Sequence, residues 1–364
     1  MRIGIIGTRG IPNLYGGFEQ FVEYIAPMLV EKGHEVYVYN SSLHPYKEKQ
    51  WRGVNIIAKA DPEGSIGTAG QFIYDLNCIL DARGRHFDII LQLGYTSSSI
   101  WSFLFPKRSV IITNMDGLEW KRTKYNRSTQ RFLQYAEKLA VKKSHYLIAD
   151  SKGIQQYLRE KYQVDSSFIA YGAHVFAEPD ARVLAGYQLE PYGYNLVMAR
   201  MEPENNMEPV LQGHRDSGTG TKLIVIGNYK NRYGAYLEQT YRSDSIIFAG
   251  PLYDMAVLNN LRYFSNLYFH GHSVGGTNPS LLEAMASNCL VVANNNIFNR
   301  SVLEEDALYF DTTDDISRLL KSGVKKADYT QQLKNNIQKI GQQYSWQHIA
   351  GELLNLFEHA TASR

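Results

Sequence analysis

The residues best suited to chemistry lie at positions 271–285, which read GHSVGGTNPSLLEAM. The apolar run before them, residues 267–270, predicts a buried strand, and the apolar run at 281–286 predicts a helix. Asn278 is a good N-cap, and Pro279 suits the first helical position, where no amide hydrogen is needed. A loop with paired glycines that ends at a helix N-terminus presents backbone amides to an anion. The stretch therefore predicts a cradle for the diphosphate of a nucleotide.

Two side chains could complete such a site. Glu283 lies one turn into the predicted helix, where its carboxylate could accept hydrogen bonds from sugar hydroxyls. Arg200 follows the apolar run at residues 196–199, and a planar guanidinium can bind phosphate oxygens through two hydrogen bonds. Taken alone, the stretch also fits an ordinary strand–loop–helix joint, and Arg200 also fits a surface arginine at a strand end.

Several other chemistries lack the residues they need. The first turn, GIIGTRG at residues 4–10, does not have the dinucleotide-binding spacing, and the second predicted strand ends in YVYN, without an acid for a ribose hydroxyl. We find no Walker loop and no Asp-x-Asp pair. Cys78 and Cys289 lie far apart, without metal or disulfide spacing. We therefore expect no nicotinamide cofactor and no metal, so that cations and amides must neutralise the diphosphate.

Composition indicates an ordinary globular protein of two domains. The chain has 364 residues, of which 44% are hydrophobic and 20% charged, with a net charge of +2. This charge is too small to argue for a nucleic-acid partner. We expect no membrane span, because no run of about 18 apolar residues occurs. The chain begins directly with a predicted strand, so we expect no signal peptide and a cytoplasmic location.

Predicted strands and helices alternate along the chain, which favours an α/β fold with parallel sheets. The alternation is interrupted at residues 171–194, where glycines and prolines accumulate. We therefore predict two Rossmann-like domains, residues 1–172 and 173–345, facing each other across a cleft. The last helix, residues 346–364, is expected to pack back on the first domain. Ligands of such sheets bind beyond the carboxyl ends of the strands, where both glycine-rich loops fall.

Four motifs distributed along the chain belong together. They are GTRGIP with YGGFE at residues 7–19, NMDGLEWKR at 114–122, ARMEPENN at 199–206 and the stretch at 271–285. With them the chain resembles the GT-B glycosyltransferases of retaining family 4, and within that family the rhamnosyltransferase-like group. The resemblance implies transfer of L-rhamnose from dTDP-L-rhamnose, with retention, to a glycan or lipid-linked saccharide in bacterial surface-polysaccharide synthesis.

The resemblance also implies roles for individual residues. Glu283 corresponds to the glutamate that binds the nucleotide ribose, and Arg200 to the arginine on the donor diphosphate. Further donor contacts are implied at Gly16, Gly17, Gly227, Asn228, Gly250 and Leu252. The cradle itself adds Gly275, Gly276, Thr277, Asn278 and Ser280, and His272 could contact the sugar or phosphate or could be structural.

The chain departs from the wider family at three points. Gly275 stands eight residues before Glu283, where the family usually has a second glutamate. Asn205 and Asn206 occupy the region of the lysine that usually follows the diphosphate arginine. Diphosphate charge would then rest on Arg200 and the amides at residues 278–280, with Arg9 or Lys121 as a further cation.

The third departure is a missing histidine in the first domain, and Asp116 is our substitute for it. We expect Asp116, together with Arg200 and Glu283, to be catalytic, although Asp-Gly also favours a simple turn. Glu19 and Glu119 are weaker candidates for contacts with the acceptor, and Glu119 could instead form a local salt bridge. We expect Arg200→Ala and Glu283→Ala to weaken donor binding and to leave the fold intact.

Two other functions remain open on this evidence. A GT-B-shaped sugar-nucleotide epimerase or hydrolase would act without a sugar acceptor, and a catalytically silent nucleotide-binding scaffold would explain the missing glutamate and lysine.

One predicted helix also has a basic face. Arg131, Lys138 and Lys142 recur at helical spacing, and further basic residues precede them at Lys121, Arg122, Lys124 and Arg127. Such a face is often simply solvated. It could also contact the anionic inner face of the cell membrane, where a lipid-diphosphate acceptor would sit.

Overall fold

The computed structural model describes residues 1–122 and 125–363. It divides into two compact units. Unit 1 contains residues 1–171 and the last helix, which begins at residue 346, and unit 2 is Gly172–Ser345. Each unit has one sheet with helices, as the alternation of predicted strands and helices requires.

Unit 1 is built on an eight-stranded sheet in the order β3-β4-β2-β1-β5-β6-β7-β8. All neighbours are parallel except β3 and β4, which form an antiparallel edge. The sequence did not predict β3, because two residues are too few to form a pattern. The strands are β1 (Arg2–Ile6), β2 (Glu35–Ser41), β3 (Gln50–Trp51), β4 (Val54–Lys59), β5 (Ile89–Leu93), β6 (Val110–Asn114), β7 (Tyr146–Ala149) and β8 (Ser167–Phe168).

Unit 2 is built on a six-stranded sheet in the order β11-β10-β9-β12-β13-β14, with parallel neighbours throughout. Its central strand β9 is nearly all apolar and buried, as expected for a parallel sheet covered on both faces. The strands are β9 (Tyr194–Met198), β10 (Lys222–Ile226), β11 (Ile246–Gly250), β12 (Tyr268–His270), β13 (Val291–Asn294) and β14 (Leu308–Phe310).

The helices follow the alternation predicted from the sequence, although the short helices at residues 63–66 and 297–303 were not predicted. Ser99–Leu104 forms a 3₁₀ helix. The helices are α1 (Gly17–Glu31), α2 (Glu63–Ile66), α3 (Gly70–Ala82), α4 (Arg127–Lys143), α5 (Lys152–Tyr162), α6 (Met207–Ser217), α7 (Arg232–Tyr241), α8 (Met255–Tyr263), α9 (Pro279–Ala286), α10 (Ile297–Leu303), α11 (Thr313–Lys321), α12 (Thr330–Gln343) and α13 (Trp346–Ala362).

The last helix returns to unit 1 and packs on α1. Trp346, which is 1% exposed, stacks on Tyr24 with ring centroids 4.5 Å apart and meets the edge of Phe21 at 6.3 Å. Burial of such large aromatic side chains is a main source of stability. Helix α13 is therefore part of the core of unit 1, although the whole of unit 2 separates it from that unit in sequence.

Candidate functional site

The carboxyl ends of parallel strands meet at one edge of the unit 2 sheet. Register places Ile226, the last residue of β10, opposite Met198 of β9 on one side and Gly250 of β11 on the other. The Gly227 amide donates to the Gly250 carbonyl at 3.1 Å. Three predicted donor contacts, Arg200, Gly227 and Gly250, therefore lie at the carboxyl ends of adjacent strands.

The loop after β12 is attached to the loop that carries Arg200. The Asn206 amide donates to the Gly271 carbonyl at 2.8 Å, and the Ser273 backbone amide donates to the Glu204 carbonyl at 3.0 Å. The two loops approach so closely that a Cβ on Gly271 would lie 2.1 Å from the Asn205 carbonyl oxygen. Asn206 thus serves to hold the two loops together, whereas the Asn205 side chain donates to the Arg200 carbonyl at 2.8 Å within its own loop.

The predicted helix cap is present at the start of α9. The Asn278 side chain accepts a hydrogen bond from the Ser280 amide at 2.9 Å and another from the Ser280 hydroxyl at 2.8 Å. The Ser280 amide is therefore occupied by the cap, and an anion would have to use amides earlier in the loop. Gly275 and Gly276 are partly exposed there, whereas Thr277 is 3% exposed.

Arg200 and Glu283 have very different surroundings. The Arg200 side chain is exposed and forms no ion pair with any residue in the described part of the chain. Glu283 pairs with Arg262 at 2.5 Å, and the Arg262 side chain is only 1% exposed. Arg262 also donates to the Asn259 side chain at 3.0 Å. Arg200 is thus available to an anion, while the Glu283 carboxylate is oriented by a buried guanidinium.

Arg262 belongs to none of the four sequence motifs. A signal was available, because Arg262 falls between Leu261 and Tyr263 in an apolar helix, and a buried cation needs an anionic partner. The pair also corrects one expectation. Glu283→Ala would leave the buried guanidinium unpaired, so we no longer expect that variant to leave the fold intact.

Two stacked histidines lie beside the cradle. The rings of His270 and His272 are 4.4 Å apart and inclined by 16°. His270 is 1% exposed, and neither of its ring nitrogens has a hydrogen-bond partner among the described residues. Burial, with a smaller contribution from His272, holds the pKa of His270 well below its usual range. The His272 carbonyl is held in place by the side-chain amides of Asn296 and Asn299, at 2.9 Å and 3.0 Å.

The remaining donor positions line the same edge of unit 2. Asn228 is exposed, and its side chain accepts the Lys230 amide at 3.0 Å. Leu252 is half-buried just beyond β11. Asn228 follows Gly227 directly and Leu252 lies two residues after Gly250, so these positions belong to the same edge.

In unit 1 the three predicted acidic residues all lie near enough to a buried tyrosine to influence its pKa. Burial raises the pKa of Tyr171 well above its usual value, and the charges of Asp116, Asp150, Glu19 and Glu119 raise this pKa further. Tyr171 also lies beside Gly17, where a Cβ would be 3.2 Å from its hydroxyl oxygen. Tyr171 was not found from the sequence, since no motif contains it.

The three acids differ in how firmly they are held. Glu19 is 5% exposed and accepts the Arg9 backbone amide at 2.8 Å. Glu119 forms the local salt bridge considered above, with Arg122 at 2.7 Å.

Asp116 adopts the turn that Asp-Gly favours. It has a φ of 51°, and its amide donates to the Asn114 side chain at 2.9 Å. Asp116 as a whole is half-buried. A non-glycine residue in the left-handed region is uncommon and often marks a functional turn.

Arg9, one of the two further cations considered for the diphosphate, already has an anionic partner. It pairs with Glu63 at 2.8 Å, so its charge is partly neutralised.

Neither a group of metal ligands nor a membrane-spanning helix is found among the described residues. Within residues 1–122 and 125–363, no three His, Cys, Asp or Glu side chains group as metal ligands. None of the described helices is long and apolar enough to cross a bilayer.

Each half of the chain is similar to a known protein family. Residues 190–340 match the family described as Glycosyl transferases group 1, and residues 1–174 match a domain of unknown function, DUF1972. No curated protein sequence matches the chain significantly.

Solved structures match over the whole chain. Sucrose-phosphate synthase from Thermosynechococcus elongatus is 17% identical with a TM-score of 0.83, and each chain is covered completely. HepE from Anabaena, solved with UDP and glucose, is 15% identical with a TM-score of 0.78 over 99% of this chain and 100% of HepE. A glycosyltransferase from Rickettsia africae is 12% identical with a TM-score of 0.69 over 99% and 98%. This likeness confirms the predicted α/β fold of two parallel-sheet domains, and with the family match it supports a glycosyltransferase of the GT-B type.

Proposed function

We propose that the chain transfers a sugar from a nucleotide-sugar donor that binds at the carboxyl edge of the unit 2 sheet. The observation that carries this proposal is the exposed Arg200 between the Gly227 turn and the loop that leads to Glu283. The Arg200 guanidinium and the backbone of the glycine-containing loops suit the phosphates of the donor. The oriented Glu283 carboxylate suits the hydroxyls of its ribose.

The donor we propose is dTDP-L-rhamnose, and the resemblance of the four motifs supports it. A UDP-sugar is the alternative, because HepE was solved with UDP and with UDP-glucose. The acceptor we propose is a glycan or lipid-linked saccharide of a bacterial surface polysaccharide.

The proposed transfer is retaining and independent of metal. Arg200 and the loop amides before Asn278 stabilise the negative charge that develops on the leaving diphosphate. The acceptor hydroxyl attacks the anomeric carbon on the face that the diphosphate leaves, and the departing phosphate takes the hydroxyl proton. Asp116 orients the sugar or the acceptor.

A donor panel tests this proposal. We expect dTDP-L-rhamnose and dTDP to raise the thermal unfolding midpoint more than other nucleotides do, because binding stabilises the folded state. We expect release of nucleoside diphosphate only when an acceptor is present, with the same rate in EDTA. Acceptor-independent release would favour the epimerase or hydrolase, and binding without any release would favour the scaffold. Loss of activity in EDTA that Mg²⁺ restores would reject metal independence.

The role of Asp116 has its own test. We expect Asp116→Asn to lower turnover at least about tenfold with donor affinity nearly unchanged, because only the charge of the carboxylate is removed. The matched control is Asp165→Asn, which removes a carboxylate of unit 1 that is 92% exposed. Wild-type turnover in Asp116→Asn would reject its catalytic role.

We also propose that unit 1 contacts an anionic membrane surface through α4. The outer face of this helix carries Arg127, Arg131, Tyr135, Lys138 and Lys142, all exposed, and the one acid of the helix, Glu137, is 2% exposed. Lys124, which precedes the helix, lies outside the described residues. An exposed aromatic ring among cations suits the headgroup region, where each basic residue contributes about 1 kcal/mol.

Vesicle sedimentation tests this contact. We expect binding to vesicles with phosphatidylglycerol but not to pure phosphatidylcholine, with weaker binding in high salt. Arg131→Ser with Lys138→Ser should reduce binding about tenfold or more, since two such contributions are lost. The control, Lys49→Ser with Lys152→Ser, removes two exposed cations from other elements. Equal loss in both double variants would reject α4 as the contact.

A further inference from the structure

A buried carboxylate joins several elements of unit 1. Glu137 is 2% exposed on the inner face of α4. One of its oxygens accepts three hydrogen bonds from side chains of α5. The donors are the Tyr157 hydroxyl at 2.7 Å, the Tyr162 hydroxyl at 2.6 Å and the Lys161 ammonium at 2.9 Å. The other oxygen accepts from Tyr95 at 3.3 Å, in the loop after β5. This charge is buried and well partnered, so the elements around it are held in one arrangement.

The network extends from Glu137 to the segment that carries Asp116. The indole N–H of Trp120 donates to the Tyr157 hydroxyl oxygen at 3.2 Å. The Lys161 ammonium lies over the Trp120 ring, 5.2 Å from its centroid, and over the Tyr157 ring at 5.0 Å. Trp120 is therefore held through its N–H group and through one face of its ring.

The tyrosines can act only as donors to Glu137. Burial raises the pKa of Tyr157 far above its usual value, and the hydrogen bond to Glu137 raises this pKa further. The pKa of Tyr162 is raised for the same two reasons. Each hydroxyl keeps its proton at any working pH, so Tyr157 donates to Glu137, and its oxygen accepts from the Trp120 indole N–H and from the Lys161 ammonium.

We propose that Tyr157, itself held by Glu137, is a positioning residue that fixes Trp120 and with it the turn of residues 116–119. The importance of that turn for transfer rests on the proposed function. Asp116 sits in the left-handed region, which a residue other than glycine keeps only where its surroundings hold it. Met115 and Leu118 are buried on either side of Asp116 in sequence. Trp120 anchors the far end of the turn, where the Lys121 amide donates to the Leu118 carbonyl at 2.8 Å.

Two variants separate a role of Tyr157 in positioning Trp120 from a general contribution of Tyr157 to the stability of unit 1. Tyr157→Phe and Tyr162→Phe each remove one hydrogen bond of nearly equal length to Glu137, but only the Tyr157 oxygen also accepts from the Trp120 indole N–H and from the Lys161 ammonium. We expect Tyr157→Phe to lose at least as much stability as Tyr162→Phe in urea unfolding, because it removes two further hydrogen bonds. We expect kcat to fall about three- to tenfold in Tyr157→Phe and less than about twofold in Tyr162→Phe, with KM for the donor unchanged in both.

A spectroscopic readout does not depend on activity. With ¹⁵N-labelled tryptophan, the four indole N–H groups of the chain give four resonances, and Trp120→Phe identifies that of Trp120. We expect Tyr157→Phe to shift the Trp120 resonance and Tyr162→Phe to leave it in place.

Failure of the positioning role of Tyr157 and failure of the proposed function give different results. An unmoved Trp120 resonance in Tyr157→Phe, or equal falls in kcat for the two variants, would overturn the proposal. If the wild-type protein shows no turnover with any donor, the proposed function fails, while the Trp120 resonance still decides whether Tyr157 positions this segment.

Discussion

At the scale of single residues, the main contrast is between a free cation and a paired anion. Arg200 is exposed at a strand end, whereas Glu283 is held by the buried Arg262. A guanidinium that is already in water keeps its rotamer freedom until a ligand orders it, and a carboxylate that is already oriented loses little freedom on binding. The two residues are therefore expected to contribute to donor binding in different ways.

We predict that Arg200→Ala weakens dTDP binding about 10- to 100-fold, since a hydrogen bond to a charged group contributes about 1.5–3 kcal/mol. Glu283→Gln should weaken binding by a smaller factor, because the amide oxygen can still accept from Arg262 and from a ribose hydroxyl. Isothermal titration calorimetry measures both affinities.

The control is Arg182→Ala, which removes an arginine of unit 2 whose side chain is 90% exposed. Its affinity should equal that of the wild type. Wild-type affinity in both site variants would remove Arg200 and Glu283 from the donor site.

At the scale of elements, the candidate site depends on loops that are held to one another. The loop at residues 203–206 and the loop at 271–273 are joined by three hydrogen bonds and one very close backbone contact. Loops held in this way present a site with little conformational freedom left to lose, which favours binding.

We predict that Gly271→Ala destabilises unit 2 by about 1–3 kcal/mol and weakens donor binding, because the new Cβ would meet the Asn205 carbonyl and push the two loops apart. Urea unfolding followed by circular dichroism measures the first effect and calorimetry the second. Gly186→Ala is the control, since nothing lies within 4 Å of a Cβ at Gly186. Equal stability and affinity in the two variants would show that the close contact is not important.

At the scale of the whole molecule, the chain is two units with separate cores, and only one of them contains tryptophan. Trp51, Trp101, Trp120 and Trp346 all belong to unit 1. Tryptophan fluorescence therefore follows the unfolding of unit 1 alone, which allows a buried acid of that unit to be studied.

Asp75 of α3 is 4% exposed and accepts a hydrogen bond from Ser97. Burial raises the pKa of Asp75 from 3.8 to about 7, with a further increase from Asp61. The folded state thus favours the neutral Asp75 carboxyl. The contribution of Asp75 to stability is complete below its unfolded pKa of 3.8 and is lost as the pH rises through its folded pKa of about 7.

We predict that unit 1 is more stable at pH 5 than at pH 8 by on the order of 2–3 kcal/mol through Asp75, since one pKa unit corresponds to about 1.4 kcal/mol. The measurement is urea unfolding by tryptophan fluorescence across this range, in the wild type and in Asp75→Asn. Other titrating groups are common to both proteins, so the difference between the two curves isolates Asp75. Parallel curves would contradict the prediction.

The local sequence determined most of the architecture. Alternating apolar runs located nearly all strands and helices, and Asn278 and Pro279 marked the start of α9, because caps and periodicity depend on neighbours within a few residues. The parallel order of strands then explains why Arg200, Gly227 and Gly250 come to one edge.

Only the tertiary structure decided which side chains pair. The partnership of Arg262 with Glu283, the convergence of three hydroxyls and an ammonium on Glu137, and the use of Asn206 to hold a distant loop cannot be read from spacing. Their physical reason is burial: a charged or polar group that packing removes from water must find a partner nearby in space, wherever that partner lies in the chain.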